Sequence, residues 1–228
     1  MIDSTEQGES PAELGLAERL QRIDRLESEL TRKGAAALGE GANLGHADFF
    51  LFGAVRRTLA QARGFRDLIA ARNFPCAAAI LRLQIDTAMR VNALSLVDDP
   101  EATCRAVLDG EQFNRLKDRD GKKMSDAYLR AKLAASHPWI SPVYERTSDF
   151  VHLSGRHFEV SIARTDDATR MAYFQLSGHD PQRPDETYFE AVDTFFEATK
   201  LAGMLMLAFL MARHQPEQVL ASMTKNET

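Results

Sequence analysis

Cysteine is scarce in this 228-residue chain, which carries only Cys76 and Cys104. Neither fits a C-x-x-C or Cys/His spacing, which argues against a zinc site, and two thiols set in apolar helical patterns read as buried and free in a reducing cytosol. Charge of one sign is also lacking. The net charge of -5 at a pI near 5.7 speaks against the uniformly basic surface of a non-specific nucleic-acid binder. No Walker loop or G-x-S-x-G elbow occurs, and Gly39-x-Gly41-x-x-x-Gly45 follows a helix with the wrong spacing for a dinucleotide fingerprint. The most apolar stretch, Leu201 to Met211, falls short of the roughly 20 residues that span a bilayer. The acidic start, Met1 to Glu6, lacks the basic region and apolar run of a secretory signal. The expectation is a cytoplasmic protein with no membrane partner. Repeats and low-complexity tracts are missing as well.

What is present is ordinary globular material, 44% hydrophobic and 27% charged. One domain over residues 1–228 is expected, with 1–11 and 216–228 as loose tails. Leu14, Leu16, Leu20, Ile23, Leu26 and Leu30 recur at helical spacing and fade at Gly34. Further helices are predicted over 47–71, 76–97, 100–117, 125–135, 138–152 and 185–214, the last apolar nearly all round its second half. Period-two alternation over 157–163, a turn at Thr165 to Asp167 and weaker alternation over 171–176 predict one β-hairpin. The fold class is therefore mostly all-α: an antiparallel bundle of six to seven helices with a small hairpin near 157–176.

Two places concentrate functional groups. Arg82, Asp86 and Arg90 fall at i, i+4 and i+8 in an otherwise apolar helix, either as a salt-bridge ladder or as a charged cluster that binds a ligand. Glu145, Asp149, His152 and Arg156 would share one face if the 138–152 helix ran on through Gly155, with Tyr144 and Ser148 flanking it. Such a strip could transfer protons or bind an anion. Asp149 and His152 have the i, i+3 spacing of half a di-metal site, but no second Glu-x-x-His completes it, so no metal and no cofactor is expected. His46, His137, His179 and His214 show no obvious partner in sequence.

The run Ala77 to Asp86, then Asp98-Asp99-Pro100, then Tyr144-x-x-x-Ser148-x-x-Val151-His152 resembles a family of uncharacterised helical bacterial proteins over roughly residues 48–160. Separately, Arg146 and His152, with five residues between them, resemble the short signature of the HEPN superfamily of all-helical ribonucleases and RNA- or nucleotide-binding domains. That resemblance implies His152 as general base or acid in attack of an RNA 2'-hydroxyl on the adjacent phosphate, and Arg146 as the phosphate-binding group. It also implies metal independence and one site built across a homodimer. Two functions follow: a binding or regulatory module whose polar core (Arg82, Asp86, Arg90, Tyr144, Ser148, Asp149) is structural or holds a small anionic ligand, and a metal-independent ribonuclease, as a toxin or defence component, using Arg146 and His152.

Overall fold

In the computed structural model, which describes residues 14–218, the chain is a mostly helical bundle with one small antiparallel hairpin. The elements are α1 (Leu16–Leu38), α2 (His46–Ala70), α3 (Phe74–Ala93), α4 (Pro100–Leu108), α5 (Asp126–Ala134), α6 (Ile140–Ser148), α7 (Gly155–Ser161), β1 (Ile162–Asp166), β2 (Met171–Phe174) and α8 (Glu186–His214), with short 3-10 turns at Leu94–Leu96 and Phe113–Arg115.

The apolar stripe of α1 buries Leu16, Ile23 and Leu26 against α8. At that crossing a Cβ on Gly203 would run into the Leu30 side chain, so glycine sets the close approach. α2 and α3 form a helical hairpin whose turn places Arg72 in the left-handed region (φ 54°). Asn73 then caps α3 by accepting from Cys76 N at 3.3 Å, with Pro75 in the first turn. α8 packs on α1, α2 and α3, and the rings of Phe65 and Phe195 stack there at 3.9 Å. α4 leans on α2, while α5 and α6 cover the other side of α3.

α8 is long and apolar enough to cross a membrane by length and composition, with a mean hydropathy of 1.6 over its most apolar window. A central bundle helix passes the same test, and α8 turns Tyr188, Val192, Phe195, Leu201, Ala202, Met206 and Leu210 inward along its whole length.

Several expected boundaries move. α1 passes Gly34 and stops only at Leu38, because the Ala-Ala-Ala-Leu run sustains it until Gly39 turns left-handed (φ 68°). The helix expected over 100–117 ends at Leu108, where Gly110 (φ 99°) turns the chain. Residues 157–161 are helical rather than strand, since the Ser154 hydroxyl accepts from Arg156 N at 3.2 Å and starts α7. The hairpin is correspondingly shorter, pairing Arg164 with Tyr173 and Asp166 with Met171. Residues 216–218, expected as the start of a loose tail, are helical, and Gln215 just before them donates to the carbonyls of Ala36 and Ala37 at 2.8 and 3.1 Å. The remaining tail expectations, 1–11 and 219–228, lie outside the described residues.

Candidate ligand-binding site

The Arg82, Asp86 and Arg90 stripe faces α5 and α6, and it divides into a closed half and an open half. Arg82 is the closed half. Its guanidinium lies 3.3 Å from the centroid of the Tyr144 ring, its Nε donates to Ser148 Oγ at 3.2 Å, and Asp86 Oδ1 is 3.7 Å away. Ser148 in turn donates to the Tyr144 carbonyl at 2.6 Å. Burial pulls the Arg82 guanidinium below its usual value, opposed by Tyr144 and Asp86, and burial pushes the Tyr144 phenol up. Arg82 therefore fastens α6 to α3 through a cation-π contact and one hydrogen bond.

The open half is built around the Asp86 carboxylate, which is only 14% exposed. Arg90 Nη1 donates to it, and Arg57 Nη2 approaches within 3.9 Å from α2. Arg90 also reaches Asp126 at 3.1 Å, and Arg57 Nε donates to Thr87 Oγ1 at 3.0 Å. Three guanidiniums thus share two carboxylates, leaving an excess of one positive charge. Arg57 and Arg90 both line a groove of about 230 Å³ whose other walls are Phe49, Phe50, Ala54, Val91 and Leu108. Gly53 and Thr87 also line this groove, and nothing stands within 4 Å of where a Gly53 Cβ would be. Phe49 and Leu108 are about half exposed there. The groove surface is almost wholly apolar, with Arg57 and Arg90 among its lining residues, so an anion with a hydrocarbon part would have to draw one of these guanidiniums toward it.

The strip expected on the 138–152 helix is not one face. α6 stops at Ser148, where Thr147 and Ser148 turn their hydroxyls back onto the Val143 and Tyr144 carbonyls. Phe150 is then drawn edge-on to Phe74 at 5.5 Å. As a result Glu145 pairs with Arg130 at 3.1 Å and Asp149 lies 3.9 Å from Arg156. Arg146 pairs with Glu190 at 3.0 Å and lines a second cleft, between α3, α6, α7 and α8. His152 is exposed, does not line that cleft, and has no side-chain partner among the described residues. Tyr144 and Ser148 are thus brought to Arg82, whereas Arg146, Asp149 and His152 are dispersed. No group of three or more His, Cys, Asp or Glu side chains gathers as a metal-ligand set among the described residues.

Two features escaped the sequence reading. Arg57 follows Phe49 and Gly53 at i, i+4, i+8, so the groove was encoded as one face of α2 with its large residue missing. Three of the four histidines without sequence partners have distant ones: His214 Nε2 lies 2.8 Å from the fully buried Asp48 carboxylate, His46 Nδ1 lies 3.0 Å from Glu101, and His179 Nδ1 lies 3.0 Å from the Ala71 carbonyl. Arg213 bridges Asp48 and Glu101 at 3.0 and 3.1 Å. Burial alone would raise the Asp48 carboxyl, but hydrogen bonds from Gly45 N, Arg213 and His214 outweigh it and hold the group below the usual carboxylate range. This network clasps the ends of α2, α4 and α8 together. No protein-family model matches the chain, and no curated protein or solved structure matches it either.

Proposed function

We propose that the protein is a binding module whose α2/α3/α4 groove takes a small anion with an apolar body, such as a medium-chain carboxylate. One observation carries the reading: Arg57 and Arg90, two of the three guanidiniums that share the Asp86 and Asp126 carboxylates, line a groove whose other lining residues, Thr87 apart, are apolar. The head group would take charge-assisted hydrogen bonds from Arg57, the more exposed of the two, while the chain covers Phe49, Phe50 and Leu108. Desolvating that apolar wall favours binding by roughly 25 cal/mol per Å² of surface removed from water. Calorimetric titration with octanoate and with octylamine is the test. Octanoate should bind saturably and octylamine should not. Arg57→Gln should weaken octanoate about tenfold, the loss of one charged hydrogen bond worth on the order of 1.5 kcal/mol. Gly53→Leu should block the groove in a chain that still folds. Equal binding of the amine, or binding indifferent to both substitutions, would refute the reading.

A second reading, the metal-independent ribonuclease, is favoured by a different observation. Six residues along an unbroken helix hold Arg146 and His152 about 120° apart, and the end of α6 at Ser148 removes that constraint while leaving His152 exposed and uncommitted among the described residues. Cleavage of mixed cellular RNA in EDTA by the wild type, but not by a folded His152→Ala variant, would establish it. No cleavage by either leaves the binding module alone.

A further inference from the structure

The cleft that Arg146 lines lies apart from the α2/α3/α4 groove and differs from it in character. It encloses about 340 Å³ between α3, α6, α7 and α8, within the range of small-molecule sites. Its floor is apolar: Phe74 and Leu81 from α3, Val143 from α6, and Phe150 just beyond α6. Its mouth carries no excess charge. Arg146 pairs with Glu190 at 3.0 Å on one side, and Arg156 pairs with Glu159 at 2.7 Å on α7. Every member of these pairs is about half exposed or more, so water screens both pairs and each opens at little cost.

That arrangement discriminates by charge pattern. An anion entering between Arg146 and Glu190 would take the guanidinium and leave the carboxylate facing it unpaired. A cation would strand the arginine in the same way. A ligand bearing both charges replaces one salt bridge with two, and every charge at the mouth stays compensated, while its apolar part reaches the edge-to-face Phe74 and Phe150 rings, whose centroids lie 5.5 Å apart. We infer that this cleft is a binding site for a zwitterion with an apolar body, of the α-amino acid class, its carboxylate on Arg146 and its ammonium on Glu190.

The test uses the full chain and three probes that share one ring: L-phenylalanine, phenylacetate and phenethylamine, each titrated calorimetrically. L-Phenylalanine should bind saturably, and the two singly charged probes about tenfold or more weakly. Arg146→Gln and Glu190→Gln should each lower L-phenylalanine affinity about tenfold. Both positions are exposed, so unfolding midpoints should stay near wild type. Octanoate binding at the other groove should be unchanged in both variants, which separates failure at this cleft from failure of the anion reading. Phenylacetate or phenethylamine binding as tightly as L-phenylalanine overturns the inference. So does indifference of L-phenylalanine to both substitutions, or the lack of binding tighter than about 1 mM.

Discussion

Replacing Asp48 by asparagine removes one charge from the centre of the clasp that ties α2, α4 and α8, and the structure sets both the size and the pH dependence of the effect. The wild-type carboxylate has no exposed surface and accepts from Gly45 N at 2.8 Å, from Arg213 at 3.0 and 3.2 Å, and from His214 at 2.8 Å. Removing one partner of a buried pair costs about 3–5 kcal/mol. Here the figure must be reduced, because Arg213 is a third exposed and keeps Glu101 at 3.1 Å, and because asparagine still accepts a hydrogen bond at the start of α2. A loss of about 2–3 kcal/mol at pH 7 is expected, read from urea unfolding at constant m-value. The sign of the pH dependence follows from the direction of the Asp48 shift. Its folded-state value lies below the unfolded one, so its contribution is fully present above about pH 4, the ordinary carboxyl value, and disappears as pH falls through the lower folded value. The gap between wild type and Asp48→Asn should therefore hold from pH 7 to about pH 4 and close below it. A variant within about 0.5 kcal/mol of wild type at pH 7, or a gap that survives unchanged into strong acid, would refute this account of the clasp.

Two other outcomes test the core and its thiols. Phe195→Ala removes a fully buried ring stacked on Phe65 and should cost about 3–5 kcal/mol by the same unfolding assay. Titration with a thiol reagent should label Cys76 quickly in the native state, since it is exposed near the start of α3 and not buried as its apolar neighbours suggested, whereas Cys104, buried and with its thiol pushed up to about 12 by burial first and the nearby Glu101 second, should react only on denaturation.

The helices that pack on α8 were legible because their apolar residues repeat at 3.6 over many turns, as in Leu16, Leu20, Ile23, Leu26 and Leu30. The errors fell where a single local interaction outweighs periodicity. His157 to Ala163 alternates with period two, but the seven residues Gly155–Ser161 also fit two helical turns, and the Ser154 cap decides in favour of helix there, leaving Ile162 and Ala163 to β1. Thr147 and Ser148 fit the helical pattern, but beyond them the chain tightens, with Phe150 N donating to the Thr147 carbonyl three residues back instead of continuing the i−4 ladder.

The sites were legible to different depths for a related reason. The stripe on α3 stood out because three charged residues at i+4 spacing interrupt an apolar run, and the sequence also marked Tyr144 and Ser148. It could not show that Arg82 meets those two across the helix interface while Arg90 turns to the groove, since that division depends on how α6 crosses α3. The Asp48 and His214 contact joins positions 166 residues apart, and no local pattern encodes it. Arg57 is the intermediate case. Phe49, Gly53 and Arg57 share one face of α2, and the missing side chain at Gly53 is what opens the groove. A glycine inside a helix costs about 0.5–1 kcal/mol relative to alanine, and Gly53 meets no neighbour that would forbid a side chain. Packing therefore does not require glycine there, whereas an open groove beside Arg57 does.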